Sequence, residues 1–328
     1  MFSLQHVWAR TGVLAVLLSP LALLFTVVSG LRRLAYRRGW LKAISVGVPV
    51  IIVGNITAGG SGKTPLVIWL VNWLRSQGYR PGVVSRGYGG SARGCVEVRP
   101  DSLAAEVGDE PLLIRAKTSA PVVVGRDRVA AARMLIAHHQ VDLIVADDGL
   151  QHYRLHRDIE LAVVDAATGL GNGWPLPAGP LREPKARLRS VDAVIQVVRG
   201  AAQPADTLPA PAWRADYTAG KAYRLCAPQA QMALRDLPRH DWLAITGIGH
   251  PQGFFDMLEA RGLRFSPRIF ADHHAFKEAD LPVGSAVLMT EKDAVKCRGF
   301  AGPDWWAVEL DVSPESGFID WLGARIKQ

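Results

Sequence analysis

Between Val48 and Leu74 the chain reads VPVIIVGNITAGGSGKTPLVIWLVNWL, and this stretch restricts the possible folds more than any other. A run of β-branched residues, Val50 to Val53, is followed by a glycine-rich turn, then by Lys63 and Thr64, then by an amphipathic segment suited to a helix. Strand, loop and helix in that order are the setting in which a GxxxxGK[ST] loop cradles phosphate. Gly59, Gly60 and Gly62 let the backbone curl so that several N–H groups face a polyphosphate, and the helix beginning near Gly62 adds its positive dipole end. The expected nucleotide-binding segment is therefore Thr57, Ala58, Gly59, Gly60, Ser61, Gly62, Lys63 and Thr64. Lys63 is suited to the β and γ phosphates of ATP and the Thr64 hydroxyl to their Mg2+. Thr57 stands where the pattern has its first glycine, although Gly54 and the later glycines still supply flexibility. The competing reading is a plain glycine-rich turn between a strand and a helix.

Downstream, apolar runs alternate with helical stretches. RPGVVSRGYGG, APVVVGRDRVAAARMLIAHH, VDLIVADDG, DIELAVVDA and VDAVIQVVRG each contain a short buried strand, the second of them followed by a helix. Such alternation predicts an α/β fold, a P-loop-type parallel sheet with helices on both faces, whose sites gather at the carboxyl ends of the strands. GAAQPADTLPAPAWRADYTAGKAY interrupts the rhythm with Pro and Ala and reads as a linker or a domain change. DWLAITGIG, PQGFFDMLEARG, RFSPRIFADHH, SAVLMTEKDAVK and WWAVELDV then restore it, predicting a second, smaller α/β domain. The expected divisions are 1–31, 32–215 and 216–328, with a substrate cleft between the two larger parts.

The first division is set by GVLAVLLSPLALLFTVVSGL, residues Gly12 to Leu31, which carries no charge. As a helix it would reach roughly 30 Å, about one hydrocarbon core. The run is too long for a secretory leader and lacks the polar stripe of a buried core helix, so the expectation is an N-terminal membrane helix, spanning or lying in one leaflet. Arg32, Arg33, Arg37, Arg38 and Lys42 follow it, against Arg10 before it, which keeps the main body in the cytoplasm beside anionic headgroups. Pro20 leaves room for a kinked, monotopic insertion. The net charge of +8 is thereby directed to a membrane surface and an anionic substrate, and no nucleic-acid motif accompanies it. Cys95, Cys226 and Cys297 are widely spaced and read as reduced thiols.

A phosphate loop needs a carboxylate at the end of a neighbouring strand for the magnesium shell. Asp147 and Asp148 close VDLIVADDG, and two adjacent carboxylates are costly unless a cation compensates. Asp165 is the rival, although a single carboxylate after a strand is more often a turn cap. Transfer to an alcohol also needs a proton acceptor. Candidates are Asp109, Glu110, His152, Glu183 and the run Asp272, His273, His274. Adjacent side chains on an extended segment point apart, so a metal shared within that run is disfavoured. His138 and His139 fall at a helix end, where the dipole accounts for them.

Taken together, GNITAGGSGKTP, SRGYGG, GDEP, ADDGLQHYRLHRD, LPAGPLREP, ADHHAF and LMTEKDAVK, in this order behind an apolar amino-terminal segment, resemble the tetraacyldisaccharide 4'-kinase family of lipid A biosynthesis. The Thr57 departure matches that family's version of the loop. The resemblance implies transfer of the γ-phosphoryl group of ATP to the 4'-hydroxyl of a tetraacylated glucosamine disaccharide 1-phosphate, at the cytoplasmic face of the bacterial inner membrane. It implies ATP and Mg2+ at Lys63, Thr64, Asp147, Asp148 and Glu183, and an Asp109–His273 pair as proton acceptor. Arg86, Tyr88, Arg128 and His152 are implied as substrate contacts, and Arg forks do match phosphate geometry. A switch-type NTPase, a kinase for a soluble small molecule and a non-catalytic scaffold are the competing classes. The first lacks an NKxD motif, TEKD at Thr290 to Asp293 being only an echo, and the second gives the apolar segment no purpose.

Overall fold

Strands covered on both faces can be unbroken runs of Val, Ile and Leu, and the central strands of this protein are such runs. The computed structural model describes residues 8, 11–200, 202–203, 208, 211–238, 240–282 and 284–327. In chain order the first part contains α1 (Val13–Leu17), α2 (Ser19–Arg37), β1 (Val50–Gly54), α3 (Lys63–Ser76), β2 (Pro81–Ser85) and β3 (Val96–Glu97). It continues with α4 (Ala104–Val107), α5 (Asp109–Thr118), β4 (Val122–Val124), α6 (Arg128–His138), β5 (Leu143–Asp147), β6 (Ile159–Asp165) and β7 (Ala193–Arg199). The second part contains β8 (Ala212–Arg224), β9 (Gln231–Ala233), β10 (Trp242–Thr246), α7 (Gln252–Glu259), β11 (Phe265–Ile269), β12 (Val287–Thr290), α8 (Glu291–Cys297), β13 (Trp305–Pro314) and α9 (Ser316–Ile326).

All the strands belong to one sheet, ordered β11-β10-β12-β13-β8-β7-β6-β1-β5-β2-β4-β3, with β9 paired to β8. From β8 through β4 every pairing is parallel, while β3 and the β13–β8 pair run antiparallel. The stretch expected to hold a linker or a domain change folds, over Ala212–Arg224, as the strand shared by both halves. Its first residues pair with β7 and most of its length with β13. The expected division at residues 215 and 216 lies within that strand. Alternating apolar and polar burial along β8 satisfies the strand period despite the Ala-rich composition.

Register places the site. Val53 on β1 lies opposite Asp147 on β5, so the glycine loop and the acidic pair leave the same edge of the sheet. Ile51 and Val53 face Leu66, Leu70 and Leu74 of α3, while Val50 and Ile52 face Val129 and Leu135 of α6 on the other side. The Leu70 side chain has no exposed surface. Leu70→Ala is expected to cost about 2–5 kcal/mol of stability, measured as a lowered denaturation midpoint with an unchanged slope.

The spanning form of the membrane helix expected over residues 12–31 is corrected by the structure. Leu18 interrupts it, Pro20 opens the next helix without needing an N–H partner, and the last turns of α2 carry Arg32, Arg33 and Arg37. Among the described residues no helix is long and apolar enough to cross a membrane. Residues 1–7 and 9–10, Arg10 among them, lie outside the described residues. Within α1 and α2 only Ala15 and Ala22 are buried, whereas Leu17, Leu21, Leu23, Leu24, Val28 and Leu31 are exposed. The carboxyl end of α2 docks on the body, with Arg33 donating to Ser190 Oγ at 2.7 Å and the Tyr36 ring 5.8 Å from that of Tyr153.

Candidate active site

The loop backbone requires glycine where the sequence has it. At Gly62 φ is +83°, and an added Cβ would sit 2.5 Å from the Arg199 guanidinium and 3.0 Å from the Tyr217 ring. The Tyr217 hydroxyl donates to the Gly62 carbonyl at 2.7 Å. Thr57 takes the place of a glycine because its side chain has a use there. Its hydroxyl accepts from Asn55 Nδ2 at 3.1 Å, and the same amide donates to Ser61 Oγ at 2.9 Å. Asn55 Oδ1 in turn accepts from Lys63 Nζ at 3.4 Å, while the Ala58 N–H donates to the Pro180 carbonyl at 2.7 Å. Asn55, fully buried at the end of β1, thus braces both sides of the loop.

Asp147 and Asp148 are neighbours in sequence but occupy opposite electrostatic settings. Asp147 is buried, and its Oδ2 accepts from Ser85 Oγ at 3.0 Å. Its Oδ1 is also buried, with no hydrogen-bond partner among the described residues. Burial, with Glu110 and Asp148 nearby, pushes the Asp147 carboxyl up to about 7. Asp148 adopts φ +50° and turns toward Arg182, which reaches both its oxygens at 3.0 and 3.2 Å, and toward Lys63 at 3.5 Å. Burial opposes its ionisation, but Lys63 and Arg182 outweigh it and hold the carboxyl at about 2. The orphaned Asp147 oxygen, at the same sheet edge as the loop that carries Thr64, fits a hard divalent cation, while Asp148 already has its cations.

Glu183 is occupied by protein groups: it accepts from Gln151 Nε2 at 2.8 Å and from the Tyr153 hydroxyl, and it forms an ion pair with the Arg187 guanidinium at 3.3 Å. Gln151 also donates to the Asn55 carbonyl at 3.0 Å, so Glu183 acts on the loop through that amide. Among the described residues no three His, Cys, Asp or Glu side chains converge as a metal cage. Magnesium is ordinarily held by one or two carboxylates plus water and phosphate, a shell that needs no such cage. Asp165, the rival carboxylate, caps the Ala167 and Thr168 N–H groups and pairs with Arg199.

Asp109 and His273 meet across 164 positions of sequence, with Nδ1 at 3.0 Å from Oδ2 and 3.2 Å from Oδ1. Asp109 opens α5 behind Gly108, where an added Cβ would lie 2.7 Å from the Tyr88 carbonyl. His273 adopts φ +59°, and its N–H donates to the Gly247 carbonyl at 3.1 Å. Burial would raise the Asp109 carboxyl, but His273, Lys292 and Lys296 together bring it below the usual range. The hydrogen bond it donates to the Asp109 carboxylate raises His273 above the ordinary imidazole value. The Tyr88 ring lies 5.0 Å from the His273 ring. His274 points elsewhere, to Asp280 at 3.0 Å and against Phe270, so the three residues of the ADHHAF run do not share one site.

Arg128 is buried at the start of α6, donates from Nη1 to the Gly125 carbonyl at 2.5 Å, and leaves Nε without a partner among the described residues. Burial pulls it down to about 10, and Arg86 adds to the effect, while Asp147 and Asp148 oppose it. His152 is pushed down to about 4 by burial and then by Arg128, so it is neutral at pH 7, with Nε2 buried and without a partner among the described residues. Sequence reasoning missed Asn55, Gln151 and Arg182 as loop supports, and Lys292 and Lys296 beside Asp109. Their motifs, GNITAGG, DDGLQH, GPLREP and TEKDAVK, were all legible; the contacts were not.

A family model described as tetraacyldisaccharide-1-P 4'-kinase matches residues 14–327. This chain belongs to that family. It is 67% identical over 327 residues to the tetraacyldisaccharide 4'-kinase of Thiobacillus denitrificans, covering 99% of both chains. It is 51% identical to that of an Azoarcus species, covering 98% of this chain and 94% of the relative. Among solved structures, LpxK from Aquifex aeolicus in complex with ATP superposes with a TM-score of 0.84 at 27% identity, covering 95% of this chain and 99% of that one. The tetraacyldisaccharide 4'-kinase family is therefore matched by sequence and by fold across nearly the whole chain.

Proposed function

We propose that the chain, as an ATP-dependent kinase of lipid A biosynthesis, phosphorylates the 4'-hydroxyl of a tetraacylated glucosamine disaccharide 1-phosphate. The observation that carries this reading is the Asp109–His273 pair, assembled from distant segments and borne by a scaffold that also holds a phosphate loop. A nucleotide hydrolase needs no such pair for an alcohol, whereas transfer to a sugar hydroxyl does. The loop N–H groups and Lys63 hold the phosphates. Thr64 and Asp147 would hold Mg2+, which supplies charge neutralisation at the phosphoryl oxygens. The 4'-oxygen forms a bond to the γ-phosphorus as the bond to the β–γ bridging oxygen breaks, and the hydroxyl proton passes to the Asp109–His273 pair. Asp148 keeps Lys63 oriented, and Glu183 supports Asn55 through Gln151. Arg86, Tyr88, Arg128 and His152 are read as the acceptor contacts, with the two guanidinium groups suited to its phosphate.

Labelled γ-phosphate appearing in the disaccharide lipid, in detergent micelles, is the expected result. Release of inorganic phosphate without labelled lipid would overturn the reading. The parts on either side of β8 are proposed to serve as a nucleotide domain and a smaller domain that presents His273.

The acceptor lies in the bilayer, and α1 and α2 are read as the monotopic contact with the cytoplasmic face of the inner membrane. Leu21, Leu24 and Val28 recur at helical spacing with 56%, 60% and 58% exposure, forming an apolar stripe that nothing in the described chain covers. Arg32, Arg37, Arg38 and Lys42 follow it toward anionic headgroups. Replacing all three apolar residues by serine is expected to weaken binding to phosphatidylglycerol-containing vesicles by roughly tenfold or more, as measured by co-sedimentation, with unchanged unfolding temperature. Undiminished sedimentation would remove the stripe from the contact.

A further inference from the structure

Helix α8 touches the supports of both members of the Asp109–His273 pair. Its Lys292 Nζ lies 3.0 Å from Glu110 Oε1 and 3.9 Å from Asp109 Oδ2. Lys296, one turn on, is 4.0 Å from the same Asp109 oxygen and 2.8 Å from Asp293. Asp293, fully buried, accepts from the Thr246 hydroxyl and the Gly247 N–H at 3.1 Å each, and Gly247 carries the carbonyl that receives the His273 N–H. Toward its other end, α5 is tied by Lys117 to Glu291 at 2.8 Å and to Glu309 at 2.7 Å. The facing charges therefore form a ladder between α5 and α8, and its rung at Lys292 is the one directed at both Glu110 and the reacting carboxylate.

We propose that Lys292 is a positioning residue for phosphoryl transfer: anchored on Glu110, its ammonium holds the Asp109 carboxylate in place against His273 Nδ1. The proposal rests on the reading of Asp109 and His273 as the proton acceptor. A lysine needed only to join the two helices would be served by Glu110 alone, yet Lys292 also lies within 4 Å of Asp109. It is only 20% exposed, so its field on the pair is weakly screened. The groups facing the pair are Glu110 from α5, Lys292 and Lys296 from α8, Asp272 at 3.9 Å from His273 Nε2, and the Tyr88 ring. Of these, the two lysines oppose proton uptake by the pair, and Asp272 and Glu110 favour it. Removal of the Lys292 charge accordingly makes the pair hold its proton to higher pH.

The test uses the full-length enzyme with ATP, Mg2+ and the disaccharide lipid in micelles, comparing Lys292→Gln, which keeps a donor for Glu110, with Lys292→Arg, which keeps the charge. In Lys292→Gln the acid limb of the kcat profile should move up by about one pH unit. At neutral pH kcat should fall about tenfold, with KM for ATP within about twofold of wild type. Lys292→Arg should restore the limb to the wild-type position. An unmoved limb in Lys292→Gln would leave Lys292 a helix tie and overturn the proposal. Should the glutamine variant fail to fold by thermal melting, the arginine variant decides, because a displaced limb with the charge retained overturns the proposal equally. Asp109→Asn and His273→Gln are run in parallel. Full activity in both would sink the proton-acceptor reading itself, whereas their inactivity with an unmoved Lys292→Gln limb sinks only the role of Lys292.

Discussion

Asp109→Asn is expected to lower kcat for transfer to the lipid by ~10²–10⁴-fold while leaving ATP binding within a few-fold of wild type. Asparagine keeps the size of the side chain and can still meet His273 Nδ1, but it removes the charge. The Asp109 carboxylate is what raises His273, so its loss lowers the proton affinity of the imidazole. A lowered histidine accepts the hydroxyl proton less readily, and any residual activity should show an acid limb displaced to lower pH. Comparison with His273→Gln assigns the proton: if the aspartate is the direct acceptor, the glutamine variant retains more activity than the asparagine variant. Steady-state kinetics over pH 5–9 would check this, and an asparagine variant within threefold of wild type would remove the pair from the chemistry.

Lys63→Met should lower kcat/KM for ATP by ~10²–10³-fold, the scale seen when one preorganised charge stabilising a transition state is removed. Methionine is close in length and apolar, so the packing of the stem against the loop is preserved. Two consequences follow from the contacts of Lys63. Asn55 Oδ1 loses a donor and Asp148 is left with Arg182 alone, so the Asp148 carboxyl should rise from about 2 toward the ordinary range. Because that carboxyl is depressed in the folded state, the stability it contributes is present above the unfolded aspartate value. That stability is lost as pH falls from ~4 toward 2. In the methionine variant this acid-linked loss should shrink, which unfolding measured from pH 5 to 2 can resolve. Transfer within threefold of wild type would show that the loop amides suffice without the ammonium.

Much of this was legible from local pattern. The GNITAGGSGKTP loop, the parallel strands and the use of Asp165 as a cap follow from rules acting within a few residues. Apolar runs bury, glycine alone takes φ near +83°, and a carboxylate after a strand finds the next free N–H groups. Misreadings arose where local pattern and long-range pairing diverged. The Pro and Ala stretch around residue 212 looks like a linker on composition, but β7 and β13 supply partners on either side and make it a strand. The apolar run after Gly12 looks continuous on hydropathy, but the helix stops at Leu18 and restarts with Pro20 in its first turn.

Chain order and residue type by themselves determined that a phosphate loop would open from a parallel sheet with two carboxylates close by, because those features need only neighbours in sequence and the edge shared by parallel strands. The tertiary structure alone decided how the charges were used. Asp147 kept an orphaned oxygen, while Asp148, one residue on, swung to φ +50° and took Lys63 and Arg182 as partners. Asp109 found His273, and Lys292 came to rest beside both Glu110 and Asp109. Coulomb energy depends on distance and on the surrounding dielectric, and neither is defined for these groups until the chain has brought α5, α8 and the turn at His273 together.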